Sequence, residues 1–398
     1  MTPSRRHSWS TAVPLLVAAS VGHVLYPALL ELAGAWRAAI PGSRRPSPGD
    51  GAAWPPGSWP AVTVVVPAYL EAAVIAGKVA DLQANGYPGP LEVVVVADGD
   101  PDTAAAARRT GVTVIAPASR LGKAQALNAG VAAARTPVVV LTDANNRLRP
   151  GSIAALVRHL DDPELGAVAG DKVEQDSGGE ELYWRFESRL KRSEWRLGTT
   201  IGLVGELAAV RTDAWRPIPE DIATDDLWTA LDLSERGYRI AYEPSAVAVD
   251  PPVRSLADQW ERRTRSVAGA MHVFNRKRHL LGPGGGLVAL EIWGHRLARY
   301  TVVPLSHVGL LALALRRARS SWPARGFLLL HAPAVAAIWR WAKDPDRPPR
   351  GAVTAALASS VFLNAVALGG LWRYARGYRS TKWPRIDRGA EGGDRCGP

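Results

Sequence analysis

Two kinds of apolar pattern alternate along the chain. Residues 11–36, TAVPLLVAASVGHVLYPALLELAGAW, hold one acid, Glu31, and neither lysine nor arginine. That length is enough to cross a bilayer core. It is also long for a removable leader, and no small-residue cleavage site follows, so an anchor is expected. A short basic tail, 1–10, precedes it, and the Pro/Gly/Ser-rich stretch 37–60 after it reads as a linker without regular structure. The pattern then shortens. AVTVVVPAY (61–69), LEVVVVAD (91–98), GVTVIAP (111–117) and TPVVVLTDA (136–144) are β-branched runs, separated by alanine-rich stretches at 71–84, 101–109, 122–134 and 151–161. Near-continuous hydrophobic strands alternating with helices predict an α/β domain with a mostly parallel sheet covered on both faces.

Long apolar runs return from about residue 284. GGLVALEIWGHRLARY (285–300) is apolar on one side, with Glu291, His295, Arg296 and Arg299 on the other, the pattern of a helix lying in the membrane interface. Segments 301–315, 326–342 and 352–372 are expected to span, and 373–398 is a basic tail. With the run at 11–36 this makes four spans, one before the α/β domain and three after it.

Composition narrows the class. The 398 residues carry 48 Lys+Arg against 37 Asp+Glu, a net charge of +11. The arginines cluster beside apolar runs, as in RRARSSWPAR at 316–325, which fits the positive flanks of membrane segments. No helix-turn-helix or zinc pattern supports a nucleic-acid partner. A single cysteine, Cys396, excludes an intrachain disulfide and a cysteine-held metal cluster.

Candidate chemistry sits where an open α/β sheet binds ligands, beyond the carboxyl ends of its strands. Asp98 closes the second predicted strand and Asp143 the fourth. One acid at a strand end is often only a helix cap, but two on parallel strands of one sheet converge on a single crevice.

The order of these residues resembles that of the family 2 glycosyltransferases, and more closely their membrane-embedded branch of cellulose, chitin, hyaluronan and poly-N-acetylglucosamine synthases. The resemblance covers about residues 60–272. VVVPAYLEAAVI (64–75) resembles the family's "PAYNE" turn, with Glu71 at its acid and Leu70 at its asparagine. VVVADGDPDTAAAA (94–107) resembles "DDGSTDGT", with Asp98 at the second aspartate and Ala97 at the first. LGKAQALNAG (121–130) resembles "GKAxALNxG", and TDANN (142–146) the "DxD" site, with Asp143 kept and Asn145 at the second acid. TDDLWTALDLSERGY (224–238) resembles the "TED" helix, and QWERR (259–263) resembles "QxxRW" with Arg263 at the tryptophan. Val204 in GLVG (202–205) stands where a polar residue is usual.

The resemblance implies a GT-A domain over 61–272, flanked by transmembrane helices and facing the cytoplasm from the plasma membrane. It implies an inverting transfer from a nucleotide-sugar donor, UDP-linked by preference, to a glycan or lipid-linked acceptor. Asp226 aligns with the general base, beside Asp225. Glu71, Asp98, Lys123, Asp143 and Asn145 align with donor-binding positions, and Asp143 and Asn145 with ligands of Mg²⁺ or Mn²⁺. Gln259, Arg262, Arg263 and Arg265 align with the acceptor and diphosphate segment. Trp184, Tyr183, Trp195 and Trp215 are candidate sugar contacts, although aromatics in amphipathic helices more often pack. The missing tryptophan at 263 suits a single addition to a polyprenyl-phosphate or other lipid acceptor. Ala97, Asn145 and Val204 suit an inactive scaffold subunit. Four spans are few for an export channel in one chain, so a homo-oligomer or accessory export subunit is a further expectation.

The physical chemistry runs in parallel. A departing nucleoside diphosphate concentrates negative charge, which a divalent cation held by carboxylates offsets. Inversion needs a base on the opposite face of the sugar. Adjacent acids on a helix point about 100° apart, so only one of Asp225 and Asp226 can aim at the acceptor.

Overall fold

The structure is a computed structural model that describes residues 12–40, 58–174, 179–251, 255–344 and 351–378, with 349 and 381. The basic stretch 1–10, most of the linker 37–60 and most of the tail 373–398 lie outside the described residues.

Eight strands make one sheet: β1 Val62–Ala68, β2 Leu91–Ala97, β3 Thr113–Ile115, β4 Val138–Thr142, β5 Arg147–Leu148, β6 Leu165–Glu174, β7 Leu207–Arg211 and β8 Arg239–Asp250. Their order is β3-β2-β1-β4-β7-β6-β8-β5. The first half of the sheet forms as its hydrophobic runs predict: β2, β1 and β4 run parallel and β3 joins β2 in the same sense. Val62, Val64, Val65 and Val66 of β1 are wholly buried because both faces of this central strand are covered. Each such valine contributes about 1.5–3 kcal/mol relative to an exposed one.

The second half turns the sheet mixed. β7 pairs antiparallel with β4 and with β6, while β6 and β8 are parallel. Leu207 pairs with Thr142, so the chain enters β7 beside the carboxyl end of β4 and runs back along it. That entry places the loop carrying Val204, Gly205 and Glu206 next to Asp143.

Helices of the domain are α3 to α9, and those outside it are α1, α2 and α10 to α14. In chain order the first seven are α1 Ala12–Ser20, α2 Tyr26–Ala39, α3 Ile75–Gln83, α4 Pro101–Arg108, α5 Lys123–Ala133, α6 Ser152–Val157 and α7 Gly179–Leu197. The remainder are α8 Asp225–Glu235, α9 Leu256–Arg276, α10 Gly286–Glu291, α11 Ala298–Tyr300, α12 Val302–Arg317, α13 Trp322–Lys343 and α14 Ala352–Ala375. A π-helical turn, Val21–Leu25, joins α1 to α2, and another, Ile292–Leu297, joins α10 to α11.

Among the described residues, three helical runs are long and apolar enough to cross a membrane: Ala12–Ala39, Pro283–Arg317 and Val353–Ala375. The segment expected at 326–342 forms as α13, with Pro333 inside it and Arg340 and Lys343 in its last turn, but it does not reach the same apolarity. Segment 285–300 differs more. It continues into α12 with only a local break at Thr301, and the polar face expected at the headgroups turns inward. Glu291 and His295 are wholly buried, whereas Leu290 and Trp293 are exposed. His295 and Arg299 meet the α7 acids Glu187 and Glu194, while Glu291 accepts from the backbone N–H of Ile201.

Candidate active site

Lys123, Asp143, Asp225 and Asp226 converge at the carboxyl ends of β1 and β4, on the wall of a cavity of about 740 Å³. Asp143 follows β4 directly, Lys123 opens α5, and the two acids open α8 after Thr224. Acids in the first turn suit the helix dipole, but these two also face the cavity and divide its tasks. Lys123 Nζ lies 2.6 Å from Asp143 Oδ1 and 4.0 Å from Asp225 Oδ2. Asp226 has no ion pair among the described residues and lines the cavity. Gly205 makes this packing possible, since an added Cβ would stand 3.3 Å from Lys123 Nζ and 3.6 Å from Asp225 Oδ2.

The electrostatics follow from enclosure. Burial alone would lower Lys123, but Asp143, Asp225 and Glu206 outweigh it and hold the ammonium form above the usual lysine range. Asp143 is pushed up by burial, with Lys123 opposing. Burial also lifts Asp226 above the ordinary aspartate range, and the Arg296 guanidinium pulls it back only part of the way. A carboxyl so placed is poised to hold a proton more readily than a solvated one.

Beneath these residues lies a second charged layer. Lys172 on β6 is 1% exposed, with Glu206 Oε1 at 2.5 Å and Asp250 Oδ2 at 2.7 Å. Burial would raise Glu206, yet Lys172 and Lys123 outweigh it and bring it to about 2. Arg262 Nη2 meets Glu174 at 3.1 Å on the same side. Lys78, also buried, donates to Asn146 Oδ1 at 2.6 Å and to Thr142 Oγ1 at 3.1 Å, tethering the end of β4; burial lowers it to about 8.

The expected residues therefore separate into two groups. Lys123, Asp143, Asp225, Asp226, Arg262, Arg263, Tyr183 and Trp184 line the cavity. Glu71, Asp98, Asn145, Gln259 and Arg265 do not. Asp98 turns both carboxylate oxygens to the protein itself, accepting from the backbone N–H of Leu121 at 2.6 Å and of Gly122 at 2.8 Å. It thereby clamps the turn that presents Lys123. Glu71 follows Leu70, whose backbone takes φ 58 and donates to Asp100 Oδ2. Gln259 and Arg265 are buried in α9, where burial lowers Arg265 to about 10. Trp195 belongs to the core and Trp215 packs against it.

Sequence reasoning missed Lys172, Glu206, Glu187, Arg296 and Arg299, which line the same cavity. Lys172 had a visible signal: a lysine inside the strand run LGAVAGDKVE, at a position where a two-sided sheet calls for an apolar residue. Arg296 and Arg299 were visible as the polar face of 285–300, but that face was expected to point outward.

An orphaned acceptor bears on metal binding. Asn145 Oδ1 is buried without a hydrogen-bond partner, one residue beyond the Asp143 carboxylate and its neighbour Ala144. No cluster of three or more His, Cys, Asp or Glu is arranged for a metal among the described residues. Any ion here needs ligands from the substrate as well.

The GT-A architecture defined by this sheet is confirmed by comparison. A solved mannosyltransferase from Pyrobaculum calidifontis, in complex with GDP-mannose and Mn²⁺, superposes with a TM-score of 0.69 over 92% of this chain and 99% of its own, at 24% identity. Residues 63–216 match the family described as glycosyl transferase family 2. An N-acetylglucosaminyltransferase of Rhizobium meliloti (strain 1021) is 27% identical over 215 residues, 47% of this chain and 50% of the relative. A poly-beta-1,6-N-acetyl-D-glucosamine synthase of Staphylococcus aureus (strain COL) is 25% identical over 230 residues, 54% of this chain and 56% of the relative. The chain thus spans about half the length of the curated relatives it matches.

Proposed function

We propose that the protein is an inverting glycosyltransferase of the plasma membrane. It moves a sugar from a nucleotide donor, UDP-linked by preference, to a glycan or lipid-linked acceptor on the cytoplasmic side. The observation that carries this reading is the placement of Asp226: an acid without an ion pair among the described residues, opening α8 on a cavity wall shared with Lys123 and Asp143. N-acetylglucosamine is the first sugar to test, because both relatives above are named for it.

In this mechanism the acceptor hydroxyl attacks the anomeric carbon on the face opposite the diphosphate. Asp226 accepts the hydroxyl proton, the bond from the anomeric carbon to the diphosphate oxygen breaks, and the nucleoside diphosphate leaves with that electron pair. Lys123, kept charged by its carboxylate neighbours, stabilises the departing diphosphate as a fixed cation. Asp225 orients Lys123 and does not itself meet the acceptor. Asp98 acts indirectly, by fixing the backbone of Leu121 and Gly122 ahead of Lys123. Asp143, on the cavity wall, would hold a hard divalent cation, Mg²⁺ or Mn²⁺, completed by substrate oxygens, whereas Asn145, whose Oδ1 is buried without a partner, does not line the cavity. Bound there, the ion supplies further neutralisation of the diphosphate.

The test is release of nucleoside diphosphate by purified protein in nanodiscs, across UDP- and GDP-sugars with Mg²⁺ or Mn²⁺. Release from one donor, lost in Asp226→Asn, is expected. Release that survives this substitution would remove Asp226 from the mechanism. No donor binding in folded protein would favour a scaffold role instead.

A further inference from the structure

The run Pro283–Arg317 is apolar enough to span a membrane, yet Arg296 and Arg299 within it both line the cavity. Ionisable groups in such helices are costly, and they persist where they have a partner or a task. Arg299 is only half satisfied: its Nη2 lies 2.6 Å from Glu187 Oε1, while Nη1 is buried without a hydrogen-bond partner. Glu187 is shared, because His295 Nε2 also reaches it at 2.9 Å. Arg296 has still less. Its Nη1 meets the Tyr300 hydroxyl at 3.3 Å, its Nε is buried without a partner, and among the described residues no carboxylate lies within ion-pair distance. Two guanidiniums thus face the cavity with donors to spare and one shared carboxylate between them.

Their aim is built into the packing. An added Cβ at Gly22 would stand 2.3 Å from Arg299 Cγ, so the first apolar helix leaves a slot for this side chain. Gly22 lies in one π-helical turn and Arg296 in the other. Such turns interrupt regular helices mostly at functional positions. Away from the arginines the cavity continues among Leu16, Val303, Leu310, Phe327 and Leu363, an apolar passage between the helices outside the α/β domain.

We propose that Arg296 and Arg299 receive a phosphate group of the acceptor, whose apolar chain lies in this passage. The inference rests on the glycosyl-transfer reading and narrows its acceptor to phosphate-bearing lipids. A neutral glycan would bring no charge to the buried, unpaired Arg296 Nε and Arg299 Nη1 donors, with Glu187 alone in ion-pair contact with either guanidinium among the described residues. Phosphate matches their N–H forks, and the Tyr300 hydroxyl adds a donor. The proposal concerns binding; the bond formed is the one described above.

The experiment uses the full chain in phosphatidylcholine nanodiscs with radiolabelled undecaprenyl monophosphate as the probe. Saturable binding is expected, with undecaprenol and inorganic phosphate each competing about a hundredfold more weakly. Arg296→Gln, which breaks no ion pair, should weaken binding by about a hundredfold at an unchanged melting temperature, and Arg296→Lys should recover part of the loss. Saturating UDP should leave lipid binding intact. Equal competition by undecaprenol, or unchanged binding in Arg296→Gln, would overturn the subsite. Equal competition by inorganic phosphate would overturn its lipid source, and displacement by UDP would assign the arginines to the donor. Nucleotide release is read separately: its loss with lipid binding intact sinks the transfer reading, and the reverse result sinks the subsite alone.

Discussion

Asp98 and Glu187 are both buried carboxylates, one on each side of the molecule, and their partners differ in kind. Asp98 binds two successive backbone N–H groups, those of Leu121 and Gly122, within the parallel half of the sheet. Glu187 on α7 binds side chains of His295 and Arg299, from a helix more than one hundred residues further along the chain. His295 in turn meets Glu194, which accepts from the Tyr26 hydroxyl at 2.7 Å. The first arrangement shapes a turn with one acid. The second ties the first apolar helix, α7 and the Pro283–Arg317 run into one network and leaves guanidinium groups facing the cavity. The parallel half of the sheet is thus held by a local clamp, and the apolar helices by long-range charge pairs.

Substitutions can break or sharpen this contrast. The largest effect is expected between the two halves, at Asp226: Asp226→Asn should reduce nucleotide release by about 10²–10⁴-fold with little change in stability. Because burial lifts this carboxyl, the acid limb of kcat/KM should lie above the ordinary aspartate range. As pH falls through the raised value the base takes up a proton and activity is lost. Arg296→Gln removes a cation that favours the carboxylate form, so it should move that limb to higher pH in the same assay.

Next in size is the membrane-side network. His295→Phe leaves the carboxylates of Glu187 and Glu194 facing each other with less compensation, and should cost about 3–5 kcal/mol. Thermal unfolding in detergent would read this as a large drop in Tm; an unchanged Tm would mean that the network is not integral to the fold. Asp98→Ala should cost less, about 1.5–3 kcal/mol, because it orphans two backbone donors and no charge. It should also lower nucleotide release by loosening the turn before Lys123. If Asp98→Ala proved the more destabilising of the pair, the contrast between the halves would fail.

The smallest effect is a gain. Leu70 sits at φ 58, a left-handed conformation that costs a leucine about 1–2 kcal/mol and an asparagine less. Leu70→Asn should therefore raise stability by about 1 kcal/mol, without altering the Leu70 N–H bond to Asp100. A lower Tm would show that the exposed leucine has a packing role.

Much of the parallel half of the sheet was legible from the chain. The four β-branched runs became β1 to β4, and the alanine-rich stretches became α3 to α6. The strand-end logic placed Asp143 correctly on the cavity. For Asp98 it identified the right strand end, while the carboxylate itself turned inward to the Leu121 and Gly122 amides. The reversal at β7 was not foreseen: its run LAAVR carries a single valine, and nothing in a short buried run records strand direction. Of the aromatic and basic residues expected from α7 and α9, Tyr183, Trp184, Arg262 and Arg263 line the cavity, whereas Trp195 joins the core and Arg265 is buried.

The chain alone determined what local pattern can determine. Hydrophobic period separates strands from helices, long uncharged runs mark membrane-length segments, and the ordered acids and Lys123 mark a transferase domain. Tertiary structure decided which way the charged side chains turn. Glu187, Glu194, His295, Arg296 and Arg299 carry no local signal for inside or outside, because the outcome depends on whether a partner of opposite charge arrives from a distant segment. Where α7 supplies those partners, a polar face that would otherwise meet water is buried, and its unspent guanidinium donors become the cavity wall.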